Sequence, residues 1–172
     1  MVVSTPGRIC LFGEHQDYLG LPVIAAAISK RIQIAGDFNG TKIVHFSLPD
    51  VGTEESFELH YPLSYTKERD YFKCVLNVLQ RKGHVLDKGL NLTVSGNIPI
   101  NSGTSSSSAL LVSWVNFLNQ IYELGYSQKQ IGEITYGNEA VQELKKRNPT
   151  IYLANQAILA KALQEAIRRQ NF

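Results

Sequence analysis

Short apolar stretches dominate the first hundred residues of the 172-residue chain, and the period of the pattern changes after them. "RICLF" (8–12), "PVIAAAI" (22–28), "RIQIAGDF" (31–38), "KIVHFSL" (42–48) and "ESFELHY" (55–61) are continuous or alternating apolar runs, which predicts strands. Gly, Pro, Asn and Asp punctuate them, as in "DFNGTK" and "LPDVGT". In "SYTKERDYFKCVLNVLQRKG" the spacing becomes helical. Tyr71, Val75, Val78 and Leu79 share a face, Thr66 is placed to cap the start and Gly83 to end it. "LNLTVSG" (90–96) again alternates as a strand, and a polar loop then leads into an apolar helix ending near Gly125. Two further helical patterns follow, with Ser127 and Thr150 as N-caps. No segment repeats. Strands, then a helix and a strand, then helices predict an α+β fold, a sheet with helices on one face.

Composition narrows the function. With 44% hydrophobic and 19% charged residues the chain reads as a soluble globular domain rather than a disordered one. Seventeen basic against fifteen acidic side chains leave +2, which argues against nucleic acid or an anionic membrane as a partner. Cys10 and Cys74 are far apart and in no metal-ligand spacing, so two buried free thiols in a reducing cytoplasm are expected. There is no signal-like leader and no apolar run near the ~20 residues of a membrane helix. A cytoplasmic chain is expected. His45, His60 and His84 have no metal spacing and read as surface or strand residues, whereas Trp114 reads as core.

Two segments resist a purely structural explanation. "PGRICLFGEHQDYLGLP" (6–22) gathers Arg8, Glu14, His15, Asp17 and Tyr18 between glycines. An Arg–Glu or Arg–Asp ion pair closing a turn is one reading, but it leaves His15 and the second carboxylate unexplained. "SGTSSSSA" (102–109) has no large apolar residue and leads directly into a helix. The first turn of a helix carries unpaired N–H groups and partial positive charge, so small residues there allow an anion such as phosphate to approach closely. A serine-rich N-cap or flexible linker remains the alternative. The loop GxxxxGK[ST] is absent.

Together the two segments resemble the GHMP kinases, which include galactokinase, homoserine kinase, mevalonate kinase and phosphomevalonate kinase. In that superfamily an N-terminal motif binds substrate, and a second, P-x-x-x-G-L-x-S-S-A, forms the phosphate loop. Pro99, Gly103, Ser106 and Ser107 match the second; Thr104 replaces the usual leucine and Ser108 the usual alanine. "GRICLFGEHQDYLG" is similar to the galactokinase signature, with Gly-Arg, Gly-Glu-His and Asp-Tyr in order. The resemblance implies a mostly antiparallel sheet packed against helices, of the ribosomal protein S5 domain 2-like type. It implies an N-terminal substrate- and ATP-binding domain over residues 1–145 and a helical tail, a remnant of a C-terminal domain, over 146–172.

The resemblance also implies an enzyme, a sugar kinase using ATP and magnesium. Arg8 would be catalytic, beside the attacking hydroxyl. Glu14, His15 and Asp17 would contact the sugar, carboxylates being strong acceptors for its hydroxyls. Ser102, Gly103, Thr104, Ser105, Ser106, Ser107 and Ser108 would hold the nucleotide, and Ser107 and Glu139 the magnesium. The pattern departs from galactokinases after Glu139. No aspartate follows Asp87, so the expected catalytic aspartate has no match, and the glycine-rich third motif is missing. The chain alone is therefore expected to turn over weakly or not at all. It is also expected to associate with itself if a second domain is lacking. A mevalonate or uronic-acid kinase, or a non-catalytic sugar- or nucleotide-binding remnant, is the alternative.

Overall fold

The computed structural model describes residues 1–13, 22–67, 69–99 and 104–136. Its elements are β1 (Val2–Phe12), β2 (Ile24–Phe38), β3 (Ile43–Leu48), β4 (Thr53–Glu58), α1 (Tyr71–Arg81), β5 (Leu90–Gly96), α2 (Ser106–Ile121) and α3 (Gln128–Tyr136). A 3-10 turn, Pro49–Val51, joins β3 to β4. The expected helix capped by Thr150, the boundary at 145/146 and the tail 146–172 lie outside the described residues.

The five strands form one sheet in the order β1-β2-β5-β3-β4. All pairs are antiparallel except β3–β5. The α+β expectation of a mostly antiparallel sheet under helices therefore holds. Alternation decides which face is covered. Ile34, Val44, Phe46, Leu90, Leu92 and Val94 are buried, while their neighbours His45 and Asn91 face solvent. Helices lie on the buried side, where Phe46 stacks on Phe72 of α1 at 3.9 Å and meets Trp114 of α2 edge-on at 5.3 Å. Trp114 is fully buried, as expected, and its indole N–H donates to the Phe72 carbonyl at 3.1 Å.

Several boundaries differ from the sequence reading. The stretches 22–28 and 31–38 form one strand, because the polar pair Ser29–Lys30 lies in a bulge rather than a break. Pro6 pairs with Arg31 and Arg8 with Ala27, so Ile28, Ser29 and Lys30 together face Gly7. Strand β1 begins at Val2, where pairing with Ala35 recruits residues whose own pattern is too polar to announce a strand. Strand β4 ends at Glu58, three residues before the expected limit. Helix α1 starts at Tyr71 with Asp70 at the N-cap position, not Thr66. Thr66 instead donates its backbone N–H to the Asp70 carboxylate at 3.0 Å. Gly83 does end α1: its φ is 93° and the His84 N–H reaches the Leu79 carbonyl at 3.0 Å, a Schellman closure. Ser127 caps α3 together with Gln130, whose side-chain oxygen accepts from the Ser127 backbone N–H at 2.9 Å. Cys74 is buried, but Cys10, on the edge strand β1, is only half-buried; neither is in a disulfide.

Candidate active site

Strand β1 and the loop before α2 are in direct contact. The Arg8 backbone N–H donates to the Thr104 carbonyl at 3.2 Å. One residue earlier, a Cβ on Gly7 would stand 3.0 Å from the same carbonyl oxygen, 3.1 Å from Ile98 Cδ1 and 3.2 Å from Ile28 Cδ1. Glycine is what allows the loop to lie this close to the strand. The loop is tied down at its start as well. The Asn97 side-chain oxygen accepts from the Arg31 N–H at 2.8 Å, and the Asn97 N–H donates to the Arg31 carbonyl at 3.0 Å. Ile98 is buried behind it. The Thr104 hydroxyl donates to the Pro99 carbonyl at 3.3 Å.

The first turn of α2 lacks a side-chain cap. Ser105, at the N-cap, has φ 59° in the left-handed region and makes no side-chain capping bond. The first amide to find a helical partner is that of Ala109, which donates to the Ser105 carbonyl at 2.9 Å. The backbone N–H groups of Ser106, Ser107 and Ser108 have no intrahelical acceptor, as at every helix start. At most helix starts the N-cap side chain takes up one of these donors; here Ser105 does not. Sixteen residues of aligned peptide dipole favour negative charge at this point.

Of the residues singled out in the sequence, the structure brings together Arg8, Thr104, Ser105, Ser106, Ser107 and Ser108. Glu14, His15, Asp17, Ser102, Gly103 and Glu139 lie outside the described residues. The Arg8 side chain is half-buried and makes no ion pair among the described residues.

The sequence reading missed a cleft beside the serine turn. It has a volume of about 310 Å³ and mostly apolar walls. Strand β5 supplies Val94, Ser95 and Gly96; the end of β3 and the 3-10 turn supply Leu48, Asp50 and Val51. Arg69 and Tyr71, at the entry to α1, close another side, and Ser106, Ser107 and Leu110 of α2 form the last. The cleft exists because β3 stops pairing with β5 at Ser47–Thr93 while β5 runs on to Gly96. Nothing local signals such a gap. It comes from a mismatch in length between two strands more than forty positions apart.

The other candidates have structural roles. His45 is exposed on the open sheet face, and His60 is exposed 3.5 Å from Glu58. The His84 ring meets the Tyr126 hydroxyl at 2.7 Å. Among the described residues no group of three or more His, Cys, Asp or Glu side chains could hold a metal ion, and no helix is long and apolar enough to cross a membrane.

Both segments fall within stretches matched by known family models. The family model described as galactokinase galactose-binding signature matches residues 1–38, and the GHMP kinases N terminal domain matches residues 70–149. A galactokinase of Clostridium perfringens is 36% identical over 140 residues, covering 72% of this chain and 33% of that protein. A mevalonate kinase of Thermococcus gammatolerans is 26% identical over 143 residues, covering 78% of this chain and 43% of that protein. Among solved structures, galactokinase of Lactococcus lactis in complex with galactose superposes with a TM-score of 0.69 at 30% identity, over 81% of this chain and 38% of that one. The chain thus spans about a third of the length of the curated galactokinases it matches.

Proposed function

This chain belongs to the GHMP kinase family and carries the galactokinase galactose-binding signature, and from that premise we propose that it forms the sugar- and nucleotide-binding part of a kinase that transfers the γ-phosphate of ATP to a sugar hydroxyl. The observation that carries this reading is the contact between Arg8 and Thr104, which sets the Gly7–Arg8 part of the opening motif beside the residue that leads into α2.

In this reading the Ser106, Ser107 and Ser108 amides and the α2 dipole hold the phosphates, with Ser102, Gly103, Thr104 and Ser105 completing the loop. The adjoining apolar cleft takes the base. Glu14, His15 and Asp17 accept and donate hydrogen bonds to the sugar, so that analogues lacking a hydroxyl leave a charged acceptor unpaired. Arg8 places a fixed positive charge beside the attacking oxygen and the transferring phosphoryl group.

Magnesium takes few protein oxygen ligands and otherwise waters and phosphates. The Ser107 hydroxyl, exposed at the helix start on the cleft wall, fits that requirement, with Glu139 as the second ligand. When bound, the ion would offset phosphate charge. Residues 1–145 constitute the binding domain in this reading, and 146–172 a tail from a second domain. No aspartate follows Asp87, so a proton acceptor for the sugar hydroxyl has no match in the motif order, and weak or absent turnover by this chain alone follows. Leu11, Phe12 and Ile24, exposed at one end of the β1–β2 pair, favour self-association of a chain without that second domain. Two cysteines outside any disulfide suit a reducing cytoplasm.

Thermal melting with added ligands tests the reading. Galactose and magnesium-ATP, each at a hundredfold excess over Kd, are expected to raise the melting temperature by about 5–10 °C. No shift with either contradicts the proposal. A shift with mevalonate in place of galactose selects the second reading, which the mevalonate kinase relative supports.

A further inference from the structure

The 3-10 turn Pro49–Val51 forms one wall of the cleft, yet none of its residues is buried. Val51 is 53% exposed, so apolar packing does little to hold the turn against the sheet. A polar latch does. The Asp50 carboxylate accepts the backbone N–H of Gly96 at 2.5 Å. That N–H lies in the part of β5 that runs beyond the end of β3 pairing, where no strand supplies an acceptor on the β3 side. Position 96 is closely constrained from the other side, since a Cβ there would fall 2.6 Å from the Arg31 carbonyl of β2. The end of β5 is therefore a fixed anchor, and Asp50 fastens the exposed turn to it. Gly52, at φ 64° with its N–H on the Pro49 carbonyl, lets the chain reverse into β4 immediately afterwards.

We propose that Asp50 is a positioning residue for nucleotide binding: by joining the Pro49–Val51 turn to the end of β5 it sets the width of the cleft beside Ser106 and Ser107. The inference rests on the reading of that cleft as the nucleotide site. Asp50 acts through the wall it holds and need not touch the ligand. Its negative charge close to phosphates would by itself weaken binding, so latch and charge predict opposite effects of removing the charge alone.

The test uses the whole chain and two variants. Affinities for magnesium-ATP and for galactose are measured by calorimetry, and exchange of the Gly96 amide by hydrogen–deuterium NMR. Asp50→Ala is expected to lower ATP affinity about tenfold, the scale of one lost hydrogen bond to a charged group, with galactose affinity unchanged within about twofold. Gly96 exchange should accelerate in the same variant. Asp50→Asn keeps an acceptor oxygen and loses the charge; it should bind ATP at least as well as the native chain and keep Gly96 protected. The inference is overturned if Asp50→Ala accelerates Gly96 exchange but leaves ATP affinity unchanged, if galactose affinity falls in parallel, or if Asp50→Asn behaves like Asp50→Ala. A native chain that binds galactose but no ATP overturns the nucleotide reading itself, and the inference with it.

Discussion

Asn77, on the buried side of α1, spends both ends of its amide on one residue. Its side-chain oxygen accepts from the Leu63 N–H at 2.8 Å and its NH₂ donates to the Leu63 carbonyl at 2.9 Å. Both backbone groups are buried, so truncation strands a donor and an acceptor at once, and each stranded group costs on the order of 1–3 kcal/mol. Asn77→Ala is expected to destabilise the fold by about 2–4 kcal/mol, read as a lower urea midpoint with an unchanged slope. A loss below about 0.5 kcal/mol would contradict this bond assignment. A second residue-level effect is electrostatic. Burial, and then the nearby Asp87, push the Tyr122 phenol from 10.0 up to about 12; Tyr61 is raised further, by burial, then Tyr122 and Asp87. The neutral phenol is the form the fold favours. Its contribution is complete below the unfolded value near 10 and is lost as pH climbs towards about 12. Stability measured by urea titration should therefore fall across that alkaline interval, and Tyr122→Phe should flatten the fall; an identical alkaline profile in the variant would refute the assignment.

At the scale of elements, the C-terminus of α2 shows what local sequence conveys and what it hides. The pattern places the end near Gly125, but the helix stops at Ile121 and the left-handed position falls on Glu123, at φ 53°. The Leu124 N–H still closes onto the Asn119 carbonyl at 2.9 Å. A glutamate carries both the steric cost of that conformation and an unfavourable charge beside the negative end of the helix dipole. Glu123→Gly is thus expected to raise stability by about 0.5–1 kcal/mol in thermal or urea unfolding. A loss of stability would show that the Glu123 side chain makes a contribution the backbone argument omits. The other elements divide in the same manner. The strong alternation of β5, the spacing of α1 and the capping residues of α3 were legible because neighbours in sequence enforce them. Ser29–Lys30 looked like a break because only the pairing with Gly7 turns it into a bulge. Thr66 looked like a cap because only the fold shows that Asp70 holds its N–H.

For the whole molecule, the motifs pointed to the pairing of two distant segments, and the sheet shows how it arises. β1 lies at the sheet edge and β5 is separated from it by β2, yet Asn97, just past β5, bonds Arg31 of β2, and Thr104 bonds Arg8 of β1. The cleft, by contrast, was invisible in the sequence, because it depends on where β3 stops beside β5 and on a latch between Asp50 and Gly96. In the proposed kinase reading one site joins Arg8, the serine turn and this cleft. Its most direct test is a magnesium-ATP titration of the isotopically labelled chain, followed by amide NMR. Saturable shifts should cluster at Arg8, at Thr104–Ser108 and at Val51 and Gly96, and leave His45 and Asn91 on the open sheet face unmoved. Shifts confined to the open face, or none at saturating ATP, would contradict it.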